Sequence, residues 1–263
     1  MLFVPGDRPE RFAKAAASGA HEVVLDLEDA VGPASKDHAR EAVSAWLAQG
    51  HRAMVRINAA DTAWYEHDLK MLQSMPQAGV MLPKADEASL ARTLKVLPGR
   101  RVIALLETVH GYMGLPALAG VAGLERIAFG SVDFAVESGI ADEGDGMTAV
   151  RTQIVLASCY AGLAPPIDGV SVELTDEQGM RADALRSRQL GFGGKLCIHP
   201  RQVAVVNAAW QPTPDEQAWA QRVLAASEAS GGAATSVDGK MIDKPVVERA
   251  RRIVDECKLI DNS

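Results

Sequence analysis

Short apolar runs recur along the chain, and four of them, AMVRI, VMLPK, VIALLE and RIAFGSVD, stop at Arg56, Lys84, Glu107 and Asp133. Each run sits between segments with helical periodicity. Strands that alternate with helices build a parallel sheet, because a parallel return needs a crossover long enough for a helix. The residues that end such strands point into a common mouth. Two acids, an arginine and a lysine gathered there suggest a metal site that holds an anionic substrate.

The same pattern predicts eight strands: Leu2 to Gly6, Glu22 to Asp29, Arg52 to Ile57, Gly79 to Lys84, Arg101 to Glu107, Arg126 to Gly130, Ile167 to Val172 and Lys195 to Pro200. Helix signals lie between them. Asp7 before Arg8-Pro9 reads as an N-cap, with Gly19 as a stop. Ser35 is placed to cap a helix whose face is Ala39, Ala42, Val43, Trp46 and Leu47. Asp86 opens a helix that Pro98-Gly99 ends, and Thr148 to Ala161 is another. Eight βα units over about 200 residues predict an α/β fold, a (β/α)₈ TIM barrel, with a doubly wound open sheet as the alternative. Residues 1–210 read as the barrel, and 211–263 as a C-terminal extension of helix, polar loop and helix that packs on the barrel or on a neighbouring subunit.

Composition narrows the function classes. A net charge of −7 disfavours a phosphate backbone as partner, so no nucleic acid is expected. No apolar run approaches a membrane span, so no membrane is expected either. The three cysteines form no C-x-x-C, which points to a reducing, cytoplasmic setting. No G-x-G-x-x-G follows the first strand, and GFGGK (Gly191 to Lys195) lacks the P-loop spacing and reads as a tight turn.

Glu107 and Asp133 form the leading pair. Two carboxylates at strand ends, with other positions left open, suit Mg²⁺, which keeps waters and substrate oxygens as ligands; helix capping or a surface ion pair is the alternative. Arg56 is placed to grip a carboxylate through two parallel bonds, or else to make a salt bridge within the rim. Lys84 reads as a structural or substrate-contacting residue rather than a Schiff-base lysine. At least one of Asp26, Glu28 and Asp29 needs cationic partners; the cluster would support a metal through water or pair with Arg8 or Lys36. His199 reads as structural.

Taken together, LFVPGDRPERFAKA, VVLDLEDAV, VRINAADTAW, GVMLPKA, LLET, FGSVDF, GKLCIHP and DGKMIDKP resemble the citrate lyase β-subunit family, within the HpcH/HpaI aldolase and citrate lyase superfamily. The resemblance spans the chain in order. It implies a TIM barrel in a homotrimer or hexamer, using Mg²⁺ on CoA or acyl-carrier thioesters and 2-oxo acids such as oxaloacetate. It assigns Glu107 and Asp133 as metal ligands, Arg56 and Glu107 as substrate contacts, and Arg56 and Asp243 as catalytic. Asp243, in KMIDKP, matches an aspartate brought in from the C-terminal segment, often of a neighbouring subunit. The implied reaction is Mg²⁺-dependent cleavage, or reversible formation, of a 3-hydroxy-acyl thioester of the citryl-, citramalyl- or malyl-CoA type, giving a 2-oxo acid and an acetyl thioester. A class II 2-oxo acid aldolase without a thioester and a non-catalytic subunit of a citrate lyase complex are the rivals.

Overall fold

The computed structural model describes residues 1–231 and 233–261. Eight strands form one parallel sheet in sequence order: β1 (Leu2–Pro5), β2 (Val23–Asp26), β3 (Met54–Arg56), β4 (Gly79–Leu82), β5 (Val102–Leu106), β6 (Arg126–Phe129), β7 (Ile167–Asp168) and β8 (Gly194–Lys195). The sheet is curled, and its two edges approach each other. Cys197, just after β8, donates its N–H to the Met1 carbonyl at 2.7 Å, and its own carbonyl accepts from Phe3 at 2.9 Å.

Residues of alternate parity line the inner side of the curl. Val24, Met54, Met81, Ile103, Leu105, Ala128, Ile167 and Leu196 form one buried cluster there, with Phe3 packed against it. The opposite parity (Leu25, Val55, Val80, Ala104, Phe129) is buried as well. Strands buried on both faces explain why the runs read as continuous apolar segments rather than alternating ones.

The strands are shorter than their apolar runs predict. The run Lys195 to Pro200 contributes only Gly194–Lys195 to the ladder, and Pro200–Trp210 is a helix that the strand reading had absorbed at its start. At helix entries the outcome is mixed. Asp86 caps Glu87–Val96 in a reciprocal box with Ser89. Ser35 stands at the N-cap of Lys36–Ala48 but its hydroxyl makes no cap bond. Asp7 caps nothing: the turn Pro9–Arg11 starts from Arg8. Gly191 ends Glu177–Leu190 in the left-handed conformation (φ +100°), as a tight turn requires.

The chain divides into two compact units, Met1–Asn207 and Ala208–Ser263. In the second, the helix Pro214–Ala229 starts from a capping box between Thr213 and Glu216 and packs with Lys244–Asp261 around Ala220, Val223, Ile242, Val247, Ala250 and Ile253. The segment predicted as a polar loop is a hairpin, β9 (Thr235–Val237) and β10 (Lys240–Ile242). Asp238 and Gly239, at φ +52° and +76°, turn it; this is the D-G signal of a two-residue hairpin, passed over in the sequence. No helix among the described residues is long and apolar enough to cross a membrane.

Outside the curl, charged groups are buried between the sheet and its helices. Lys195 is 1% exposed and lies 2.8 Å from Asp183 of the helix Glu177–Leu190. Burial raises the Asp183 carboxyl, but the charge and close approach of Lys195, with hydrogen bonds from Ser171 and Arg186, outweigh it and hold the group at about 2. A carboxyl depressed in the fold stabilises it above the unfolded value near 3.8 and loses that effect as pH falls toward 2. Asp183→Asn is therefore expected to be about 2 kcal/mol less stable than the parent at pH 7 in denaturant melts. The gap should shrink as pH falls from about 4 through 2; a gap independent of pH would remove the pairing as its cause.

Candidate active site at the carboxyl ends of the strands

Asp26 and Arg56 close β2 and β3 and are register partners, so their side chains leave neighbouring strands on the same side. The guanidinium is locked onto Asp26 through two parallel bonds, Nε to Oδ1 at 2.7 Å and Nη2 to Oδ2 at 2.5 Å. Asp26 also accepts the backbone N–H groups of Glu28 at 2.9 Å and Ala30 at 3.1 Å. One buried carboxylate thus shapes the loop after β2 and aims the arginine. The Arg56 guanidinium lies over the Phe3 ring, 4.9 Å from its centre, so Phe3 floors the mouth. Burial opposes the Arg56 charge, but the bonds to Asp26 and the charges of Asp26, Glu28 and Glu107 overcome it and hold the group well above its ordinary value.

Of the two roles weighed for Arg56, the salt bridge within the rim is present, with Asp26 in the fork. One other expectation is corrected. The acids of VVLDLEDAV pair with Arg56 and Lys84 rather than with Arg8 or Lys36. Lys36 donates instead to the carbonyls of Leu27 and Glu28, at 2.7 and 2.8 Å, while Arg8 lies 3.9 Å from Asp7.

Glu28 is buried with Arg56 Nη1 at 3.1 Å and Lys84 Nζ at 3.4 Å, yet neither oxygen receives an aligned hydrogen bond. Desolvation, helped by Asp29 and Asp26 against Arg56 and Lys84, raises it to about 7. Lys84 follows β4 in the left-handed region, at φ +48°, a conformation costly for a residue with a Cβ. In that conformation its N–H donates to Glu107 Oε1 at 2.8 Å. This backbone role was not readable from LPK.

Glu107 follows β5 and is 2% exposed. Its Oε2 is buried with no hydrogen-bond partner. Desolvation first, then the Glu28 charge and a smaller contribution from Asp133, outweigh Arg56 and the Lys84 N–H and lift it to about 8. Asp133 is exposed in the first turn of the helix Ser131–Ser138, which starts directly after β6 and Gly130. Asp243 belongs to the second unit, where it is exposed ahead of Lys244–Asp261; its carbonyl accepts from Val247 at 3.0 Å. His199 accepts the Arg201 N–H, a turn contact.

The structure thus brings Arg56, Glu28 and Glu107 into one cluster of low exposure, with the exposed Lys84 reaching Glu28 and Asp133 close enough to act on Glu107. An orphaned carboxylate oxygen beside a second carboxylate is a donor set suited to a hard divalent cation. Among the described residues no three His, Cys, Asp or Glu side chains converge on one point. A cation there would take two carboxylates and complete its shell with water and ligand oxygens.

Residues 1–200 match the HpcH/HpaI aldolase/citrate lyase family. The chain belongs to that family. Among HpcH/HpaI relatives, the citrate lyase subunit beta-like protein of Mycobacterium tuberculosis is 39% identical over 261 residues, which cover 96% of this chain and 93% of that one. The (3S)-malyl-CoA thioesterase of Cereibacter sphaeroides is 32% identical over 270 residues, covering 99% and 94%. The crystal structure of protein CitE from Mycobacterium tuberculosis, in complex with magnesium, acetoacetate and coenzyme A, matches with a TM-score of 0.87 at 37% identity, covering 98% of this chain and 97% of that chain.

Gly130 lets this HpcH/HpaI site close. A Cβ at that position would lie 2.5 Å from Glu107 Cβ and 2.8 Å from Oε2. Gly130→Ala is expected to displace Glu107 or the backbone and to cost about 1–3 kcal/mol in denaturant melts. Unchanged stability would show that Glu107 has room to give.

Proposed function

We propose that this protein is a Mg²⁺-dependent carbon–carbon lyase that cleaves, and reversibly forms, a 3-hydroxy-acyl thioester, releasing a 2-oxo acid and an acetyl thioester. The observation that carries the reading is the Glu107 carboxylate, buried beside Arg56 with Oε2 unpartnered. The relatives' names and the magnesium, acetoacetate and coenzyme A bound by CitE support it. We read the curled sheet as a (β/α)₈ TIM barrel joined through Cys197 and β1, with residues 211–263 as its C-terminal extension.

In this reading Glu107 and Asp133 hold the ion, which when bound supplies Lewis acidity to the hydroxyl (later oxo) and carboxylate oxygens of the ligand. The Lys84 N–H fixes one Glu107 oxygen and leaves the other free. Arg56, held by Asp26 and with Glu28 3.1 Å from its Nη1, lends its charge to the oxo-acid carboxylate and to the charge that develops as the bond breaks. In cleavage a base takes the hydroxyl proton, the hydroxyl carbon becomes the oxo carbon, and the pair of the broken carbon–carbon bond is left on the thioester enolate. Asp243 returns a proton to the enolate carbon and, in synthesis, removes it from the acetyl methyl.

We place the working protein in a homotrimer or hexamer in which Asp243 serves the mouth of another copy. Exposed Met113, Val136, Ile140, Val172, Leu174 and Ile198, all in segments that follow β5–β8, support a covered rim. Free Cys159, Cys197 and Cys257 support a cytoplasmic setting.

The test is a coupled assay for 2-oxo acid release from citramalyl-, malyl- and citryl-CoA with and without Mg²⁺. Glu107→Ala and Asp133→Ala should each lower metal-dependent turnover at least about a hundredfold, and Arg56→Lys should bind oxo acid poorly because an ammonium cannot keep the fork on Asp26. Turnover of oxo-acid aldols with no response to thioester would favour a class II aldolase. Metal binding without turnover on CoA or acyl-carrier thioesters would favour a non-catalytic subunit.

Asp243→Asn is nearly isosteric and should depress exchange of the acetyl-thioester methyl protons by a large factor while oxo-acid affinity persists. Mixing it with Glu107→Ala subunits should restore part of the activity if the aspartate crosses between copies. No recovery on mixing would confine Asp243 to its own chain, and full activity of Asp243→Asn would remove it from the mechanism.

A further inference from the structure

Asp133 stands on a short helix whose start must be held still for its carboxylate to work with Glu107. The helix Ser131–Ser138 has no side-chain cap of its own at Gly130. Its first residue, Ser131, is 1% exposed and donates its hydroxyl to Asp142 Oδ2 at 2.9 Å. Asp142 is gripped in turn by Arg151, whose Nη2 donates to Oδ1 and whose Nη1 donates to the Asp142 carbonyl, each at 2.8 Å.

Arg151, on the helix Asp145–Tyr160, is 1% exposed. Its Nε donates to Asp168 Oδ1 at 2.9 Å, and Asp168, fully buried at the end of β7, also accepts from Gly169 N at 2.8 Å and from Ser187. The guanidinium lies over Phe129 of β6, 5.4 Å from the ring centre, and Phe129 meets Phe134 of the Asp133 helix edge-on at 5.6 Å. Gly169 adds a second, independent constraint. A Cβ there would sit 2.3 Å from Ser131 Oγ and 2.9 Å from its Cβ, so the bare backbone after β7 is the seat into which Ser131 fits.

We propose that the buried Asp168–Arg151 pair and the half-buried Asp142 form a strut from the end of β7 to Ser131, which with the Gly169 seat sets the position of Asp133 relative to Glu107. These are positioning residues: none of them is assigned a contact with the ligand. A buried arginine with both faces of its fork bonded is a rigid connector, and its removal from a desolvated network leaves uncompensated charge. The strut explains why a fully buried Arg–Asp pair stands beside the mouth without reaching into it. The inference rests on the reading of Glu107 and Asp133 as metal ligands, and its test separates the two.

Mn²⁺ affinity, read by the electron paramagnetic resonance of free ion against the oligomeric protein, needs no turnover. Glu107→Ala should abolish binding; if it does not, the metal reading fails whatever the strut does. Given that loss, Ser131→Ala, Asp142→Asn and Gly169→Ala should each weaken Mn²⁺ binding about tenfold or more, the range for groups that orient a ligand. Arg151→Lys is the direct probe but is exposed to misfolding, so Ser131→Ala, which deletes one hydroxyl, carries the test. Ser131→Ala combined with Asp142→Asn should weaken binding no more than either change alone, because both cut the same link. Unchanged Mn²⁺ affinity in Ser131→Ala and Asp142→Asn, with Glu107→Ala inactive in binding, would overturn the strut. Fully additive losses would do the same, since they would mark two unrelated effects on stability.

Discussion

The buried pair between Asp26 and Arg56 is the interaction on which the mouth depends. Desolvating either charge alone would cost several kcal/mol. Four donors on one carboxylate, two from the guanidinium and two from the backbone of the following loop, compensate it. Because the two residues are register partners on adjacent parallel strands, the pair also fixes how β2 and β3 end. Everything further along follows from that placement. Glu28 is carried in beside the arginine, Lys84 reaches Glu28, and the Lys84 backbone turns back onto Glu107.

Side-chain parity distributes most of the strand-end charge between the two sides of the sheet, Lys84 at φ +48° being the exception. Residues in phase with the inner apolar cluster emerge at the strand ends as Asp26, Arg56 and Glu107. Residues out of phase emerge toward the helices, as Asp168 and Lys195 do. Within the inner set Asp26 is satisfied by four donors, while Glu28 and Glu107 keep oxygens with no hydrogen bond. Asp168, in the outer set, is well satisfied, with bonds from Arg151, Gly169 and Ser187. Glu28 and Glu107 differ in this from Asp26 and Asp168, and buried carboxyl oxygens left without a hydrogen bond are where a ligand contact is sought.

Much of the fold was legible because a parallel strand buried on both faces leaves an apolar run that few other elements produce. The family resemblance was equally legible, since eight short motifs in order leave few alternatives. Strand ends were not, because Leu196, Cys197 and Ile198 remain apolar after the ladder has stopped. The hairpin around Asp238-Gly239 was signalled and passed over. The strut was invisible, since Arg151 looks like a solvated position on an amphipathic helix until Asp168 and Asp142 close on it from elsewhere in the chain.

Periodicity by itself determined the alternation of strands and helices and the position of Arg56, Lys84, Glu107 and Asp133 at the ends of their runs. Those are local properties, set by side-chain phase along one segment. Only the tertiary structure decided who partners whom: that the Arg56 fork belongs to Asp26, that Glu107 takes its hydrogen bond from a backbone amide at φ +48°, and that Oε2 is left without a partner. Pairing energies depend on distance and desolvation between residues 23 to 30 positions apart, and neither quantity exists until the sheet has curled.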